Sequence, residues 1–450
     1  MKLDFPKNLI YLDNASLTPV DPAVLDCMYE YDKTHTGNPS GIHADSVESK
    51  QVLEKSRAII AGHFSARPEE IFFTGSGTEG DNLAIWGTIL AYESQIAPEA
   101  LSAVPKALSE LPHIVTTNIE HSAVREMCLY LEKTKKAEVT FVPVGVDGIV
   151  DPKEIKKAIK QNTVLVSVQY ANNEIGTIHP IREIAKVVRQ YKKNLTPTSP
   201  FAPLHKKWRG EESHHDSFPL FHTDAAQAVQ FCNINVQQLG VDLLSCNGSK
   251  MYGPRGCGIL FKKYGIPFTP VFYGGHQEGG VRPGTEDVGR AVGLAKAFDI
   301  TCAIADAETI RLTEIRDYFI SELYKIIPDL IVHGSILERL PNNINVSISG
   351  YNSETIVIYL DAQGIRVSEK SACQSDSGVD SYVLEALEYA KIVSPARQSL
   401  GVGGSQTLSV PIPSGTGSIR FTLGRSTTMS DIDHTVATIR DILKLLKPEK

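Results

Sequence analysis

A chain of 450 residues exceeds what one hydrophobic core ordinarily supports, so two bodies of unequal size are expected. With 42% hydrophobic and 22% charged residues and a formal net charge of -7, the composition is that of a soluble globular protein. The negative balance and the scatter of basic residues argue against direct nucleic-acid binding, and no apolar run reaches the roughly 18 residues of a membrane span.

The chain begins Met1-Lys-Leu-Asp-Phe-Pro, which lacks a secretory pattern, and a cytoplasmic location is expected. From residue 46 to 261, amphipathic and short apolar stretches alternate. Helices are predicted at 46–63, 80–93, 122–132, 151–159 and 181–191. Strands are predicted at 71–74, 114–117, 138–142, 164–169, 220–224, 243–245 and 258–261. Such alternation predicts an α/β fold with a mainly parallel sheet flanked by helices, whose ligand lies beyond the carboxyl ends of the strands. A long helix at 289–327, a strand at 343–348 and a helix at 429–446 suggest a smaller α+β C-terminal domain. The expected division is 16–304 for the large body, and 1–15 with 305–450 for the small one. Residues 98–111, 193–219 and 394–416 read as loop insertions. The seven cysteines are odd in number and lack metal-type spacing, which points to neither a disulfide framework nor a metal site.

Four motifs sit at predicted strand ends. Gly75-Ser-Gly77-Thr-Glu-Gly80 follows the first strand and opens a helix, where free N–H groups attract a phosphate. A bare tight turn would look the same. A nicotinamide dinucleotide would also want an acidic strand end about 20 residues on, where this chain has the 98–111 loop. Glu120-His121 follows the second strand, and an imidazole there can stack on a flat cofactor or be purely structural. In Phe221-His-Thr-Asp224-Ala-Ala-Gln227, Asp224 can pair with a protonated pyridine nitrogen and Gln227 with a ring oxygen. Asp224 can equally cap the turn that follows. Asn247-Gly-Ser-Lys250-Met-Tyr-Gly-Pro places a lysine in a glycine-rich turn, suited to imine formation if its amine is partly desolvated. The ordered set makes an incidental surface lysine a poor explanation.

With these stretches, Tyr11-Leu-Asp-Asn-Ala, Gly37-Asn-Pro-Ser, Asn172-Asn-Glu-Ile-Gly176, Gly274-Gly-His-Gln-Glu, Arg282-Pro-Gly-Thr285, Ser371-Ala-Cys373 and Ile419-Arg-Phe-Thr-Leu-Gly-Arg425 complete a pattern. It resembles the cysteine desulfurase group of pyridoxal-phosphate enzymes, aminotransferase class V, fold type I, close to the selenocysteine lyase branch. The resemblance runs nearly end to end. It implies that Lys250 holds pyridoxal 5'-phosphate as a Schiff base and moves the substrate α-proton. It assigns Asp224 to the pyridinium, Gln227 to the ring hydroxyl oxygen and His121 to the ring face. Gly77, Thr78 and Asn247 go to the phosphate, with Ser249 beside them, and Asn173 to ring or substrate. Arg420 would take the substrate carboxylate, and Thr285 the phosphate of a neighbouring subunit in a homodimer. Cys373, in a polar stretch beside Lys370, would accept sulfur from L-cysteine as a persulfide. A sulfur-acceptor protein such as an iron–sulfur scaffold, or a thiolated tRNA pathway, would receive it. The other readings are a selenocysteine lyase releasing selenide, and a non-catalytic scaffold of the same fold that binds a sulfur acceptor. Two departures stand out. Ser249 occupies a position where the group usually has histidine, and the 193–219 insertion is longer than the compact bacterial pattern.

Overall fold

The computed structural model describes residues 9–96, 111–194, 207–208, 211–212, 218–369, 381–393 and 417–446. Seven strands form the main sheet: Ile71–Thr74 (β1), His113–Thr117 (β2), Glu138–Val142 (β3), Thr163–Ser167 (β4), Leu220–Asp224 (β5), Leu243–Asn247 (β6) and Gly258–Lys262 (β7). Their order across the sheet is β1-β7-β6-β5-β4-β2-β3. The ladders are parallel except around β7, which runs antiparallel to both β1 and β6. A parallel return needs a crossover of a dozen residues or more, and the short turn from Asn247 to Gly258 allows only the reversed strand.

Side chains in these strands alternate between two cores. Val115, Val166, Phe221, Leu244 and Ile259 pack on one face, whereas Ile114, Leu165, Leu220, Leu243 and Leu260 pack on the other. Both faces are covered, so the central strands read as unbroken apolar runs. The edge strand β3 exposes Glu138, which pairs with Lys160 at 3.1 Å and blunts the edge.

A second, three-stranded sheet joins Ile331–Val332 (β8), Asn343–Ser347 (β9) and Ile419–Thr422 (β10), all antiparallel. Its core includes Ile344, Val346, Ile419 and Phe421. The helix Val288–Ile326 serves both cores: Ala291, Leu294 and Phe298 face the main sheet's core, while Leu312, Phe319 and Leu323 face the small sheet's. Ile10–Tyr11 pairs in parallel with Ile365–Arg366, and the Thr422 amide donates to the Leu12 carbonyl, which ties the N-terminal segment to the small sheet.

Most elements lie within a few residues of their sequence expectation. One shift matters: the helix expected from residue 80 starts at Gly77 and runs to Ile96. Glycine's low helix propensity disguised its first turn as loop. The helices Pro22–Thr34, Ser353–Ala362 and Tyr382–Val393 were not anticipated. No described helix is long and apolar enough to cross a membrane.

Candidate active site

The carboxyl ends of β1, β2, β4, β5 and β6 converge on a cavity of about 160 Å³. Nine of the residues singled out in the sequence border it: Gly77, Thr78, His121, Asn173, Asp224, Gln227, Asn247, Lys250 and Arg420.

After β1, the Ser76 Oγ accepts from the Glu79 amide at 3.1 Å, and Glu79 in turn accepts from the Gly75 amide at 2.8 Å. This ties the glycine turn to the first turn of the Gly77–Ile96 helix, whose leading N–H groups have no preceding helical carbonyls to bond. A Cβ on Gly77 would come within 2.9 Å of Asn247 Nδ2, so glycine permits the close approach of β1's turn to that of β6.

After β2, Glu120 is fully buried. It accepts from Thr117 Oγ1 at 2.5 Å and from the Gln169 amide at 3.0 Å. Burial pushes its carboxyl up to about 8. His121 caps the helix Ser122–Lys133, its Nδ1 accepting from the Ala123 amide at 3.1 Å. That bond leaves the proton on Nε2 and fixes the ring's orientation.

After β4, Asn172 closes a tight turn by accepting from the Glu174 and Ile175 amides at 2.8 and 2.9 Å. The turn brings Asn173 to the cavity. After β5, Asp224 Oδ1 accepts from the Ala226 amide at 2.8 Å. Asp224 thus caps the turn that follows and also borders the cavity. Burial raises Asp224's affinity for its proton, while His121, the Ala226 amide and Lys250 oppose the rise. Gln227 Nε2 donates to the Ala15 carbonyl at 3.0 Å.

After β6, residues Gly248–Lys250 form a single 3-10 turn. Lys250 Nζ donates to the Ser16 carbonyl at 2.5 Å, and the Lys250 carbonyl accepts from Gln230 Nε2. Two residues on, Tyr252 adopts a positive φ of 60°. The Arg425 guanidinium lies 4.0 Å from its ring centroid, and its hydroxyl accepts from the Arg425 amide at 2.7 Å. Ser249 lies beside the cavity, its Oγ donating to Asn247 Oδ1 at 3.1 Å.

The far wall comes from β10. Arg420 is 1% exposed, and its two terminal nitrogens donate to the Asn173 carbonyl at 2.9 Å, Asp13 Oδ1 at 3.0 Å and Ser16 Oγ at 2.7 Å. Its Nε is buried with no partner among the described residues. A buried guanidinium with an unused donor suits an anionic ligand group.

The sequence matches the aminotransferase class-V family over residues 10–196 and 211–434. A cysteine desulfurase IscS of Dictyoglomus turgidum is 39% identical over 441 residues, covering 98% of this chain and 96% of that protein. The chain belongs to the cysteine desulfurases of the aminotransferase class-V family. A second desulfurase, IscS of Methanosarcina thermophila, is 34% identical and covers 97% of this chain and 93% of its own. The solved structure of a NifS-like protein has a TM-score of 0.78 at 28% identity, covering 98% of this chain and 100% of that one. Another, of SspA in complex with cysteine, has a TM-score of 0.68 at 27% identity, covering 92% and 98%.

Class-V aminotransferases work with pyridoxal phosphate, and the desulfurase's residues suit that group on three counts. A lysine amine opens onto the cavity, a buried carboxyl faces it, and a glycine-gated helix start lies at one end. Thr285 is elsewhere. It borders a separate cavity with Gly75 and Arg282, on a loop held by Glu278. Glu278 accepts from both terminal nitrogens of Arg57 at 2.7 Å and from the Phe73 amide at 2.8 Å. Cys373 and Lys370 lie outside the described residues, as does most of the 193–219 insertion. Sequence reasoning missed Asp81, Gln169 and Ser16, which also border the cavity. Asp81 carried a usable signal, as an acid one helical turn beyond a phosphate-type glycine.

Proposed function

We propose that the protein removes sulfur from L-cysteine, giving L-alanine and a persulfide on Cys373. The convergence of Lys250, Asp224 and Arg420 on one cavity carries this reading. Pyridoxal phosphate, when bound, supplies an electron sink for the charge left by α-proton removal. Lys250 would hold the cofactor and, once released from it, would move the α-proton with its amine; the Ser16 carbonyl orients that amine. Asp224 would pair with the ring nitrogen, Gln227 with the ring oxygen, and His121 would stack on the ring. Gly77, Thr78 and Asn247 bind phosphate, with Ser249 supporting Asn247. Asn173 contacts ring or substrate, and Arg420, which borders the cavity, takes the substrate carboxylate. The Cys373 thiolate attacks the substrate sulfur. The carbon–sulfur bond breaks with its electron pair moving to carbon, which is protonated to give alanine. No outside oxidant or reductant is needed.

We further infer a homodimer in which Thr285 completes the partner's phosphate site, a cytoplasmic location, and a protein acceptor such as an iron–sulfur scaffold. The division into 16–304, and 1–15 with 305–450, is inferred from the separate cores that the long helix serves.

The test is sulfur labelling. Labelled L-cysteine should leave label on Cys373 and on no other cysteine. Cys373→Ser should keep the bound cofactor but lose alanine production from L-cysteine by orders of magnitude, with a milder loss on L-selenocysteine. Wild-type turnover of L-cysteine by the serine variant, or label on Cys246 or Cys257, contradicts the reading. A wild-type protein that turns over L-selenocysteine alone supports the lyase instead.

A further inference from the structure

Behind Asp224 lies a second carboxyl that the proposed chemistry does not use. Asp81 is 1% exposed, on the Gly77–Ile96 helix. One of its oxygens, one Asp224 oxygen and one His121 ring nitrogen lie within 4.8 Å of one another. Two carboxyls so close in a dry site do not both ionise.

The surroundings of the two acids differ. Asp224 faces the His121 ring and the Lys250 amine and accepts from the Ala226 amide. Asp81 faces Asp224, Glu120 and His222, and among the described residues no lysine or arginine pairs with it. Its support is a chain of hydroxyls and one imidazole crossing three strands. Ser245 Oγ donates to Asp81 Oδ1, His222 Nε2 lies 3.2 Å from Ser245 Oγ, and Ser167 Oγ lies 2.9 Å from His222 Nδ1. His222 is fully buried and its affinity for a second proton is lowered to about 3, so it is neutral. With the His222 proton on Nε2, the hydroxyl and ring protons of the chain all point toward Asp81 Oδ1. Nothing in the chain neutralises a charge.

We propose that Asp81 is a positioning residue in the floor of the site: it keeps its proton and leaves Asp224 as the single anion presented to the cofactor ring. Environments that push paired acids apart are a general way of assigning one proton to one partner. Burial, the neighbouring Asp224 and, less, Glu120 raise Asp81's hold on that proton, against the Ser245 hydrogen bond, which lowers it. The inference rests on the reading of Asp224 as the ring's partner. Its test, however, reads a protonation state rather than turnover.

Infrared spectra of the full-length protein, with and without pyridoxal phosphate, provide that test. Labelling the aspartate carboxyls with carbon-13 separates their signal from Glu120's. A neutral aspartic acid band is expected at neutral pH in both forms, lost in Asp81→Asn and retained in Asp224→Asn. No such band in the wild type, or its loss in Asp224→Asn alone, overturns the proposal. Unfolding of the cofactor-free protein supplies a second readout. A carboxyl whose folded pKa lies above its unfolded value binds a proton on folding, so stability falls as pH rises above the ordinary carboxylate range. The wild-type unfolding constant should therefore climb about tenfold per pH unit more steeply than that of Asp81→Asn. Glu120 is common to both proteins and cancels. Parallel profiles contradict the proposal. Failure of Asp224→Asn to lose the cofactor would instead fault the functional reading.

Discussion

The half of the site proposed for the cofactor hangs from the carboxyl ends of strands in one sheet, with His121, Asp224, Asn247 and Lys250 each a few residues from a strand. The half proposed for the substrate joins distant segments: Arg420 reaches Asp13 and Ser16 across 407 and 404 positions of sequence. Its backbone is also bridged to Ser368, at the edge of the segment that carries Cys373. The first half is fixed by the ladders of a buried sheet, so its geometry is inherited from the core. The second half exists only while the N-terminal segment, the small sheet and the main sheet stay docked. Binding the cofactor and binding the substrate should therefore respond differently to damage.

Arg420→Gln is the larger break in that comparison. Hydrogen bonds to charged groups contribute about 1.5–3 kcal/mol, so KM for L-cysteine should rise on the order of 10–100-fold. Cofactor affinity, read by absorbance titration, should barely move. If Arg420→Gln sheds the cofactor as well, the two halves are one unit.

Ser249→His sharpens the cofactor side and has the smaller expected effect. One gained hydrogen bond contributes about 0.5–1.5 kcal/mol net, so cofactor retention should tighten at most about tenfold. Unchanged affinity in equilibrium dialysis would mean that the helix-start amides and Asn247 already saturate the phosphate.

The same contrast explains what the sequence disclosed. Strand-turn motifs made Lys250 and Asp224 candidates, and both border the cavity, because strand ends carry a local pattern that the fold brings together. The Arg420–Asp13 pairing has no local signature, and only the family resemblance pointed to Arg420. The reversed strand β7 looked like its parallel neighbours because an apolar run carries no direction; only the short turn before it gives the reversal away. Asp81 was passed over because an acid in the first turn of a predicted helix ordinarily reads as a solvent-exposed charge favoured by the helix dipole. Once the helix starts at Gly77, the same acid falls on its inward face. The Pro22–Thr34 helix went unread despite a capping Asp21 and a leading proline, since its exposed Leu25 and Tyr29 blur the apolar stripe.

The most direct measurement asks which lysine carries the cofactor. The holoprotein would be reduced with borohydride, digested and mapped by mass spectrometry. The account predicts a covalent pyridoxyl adduct on Lys250 alone, and no adduct, visible absorption or turnover in Lys250→Ala. An adduct on Lys262 or Lys263, at the other end of the hairpin formed by β6 and β7, would contradict it.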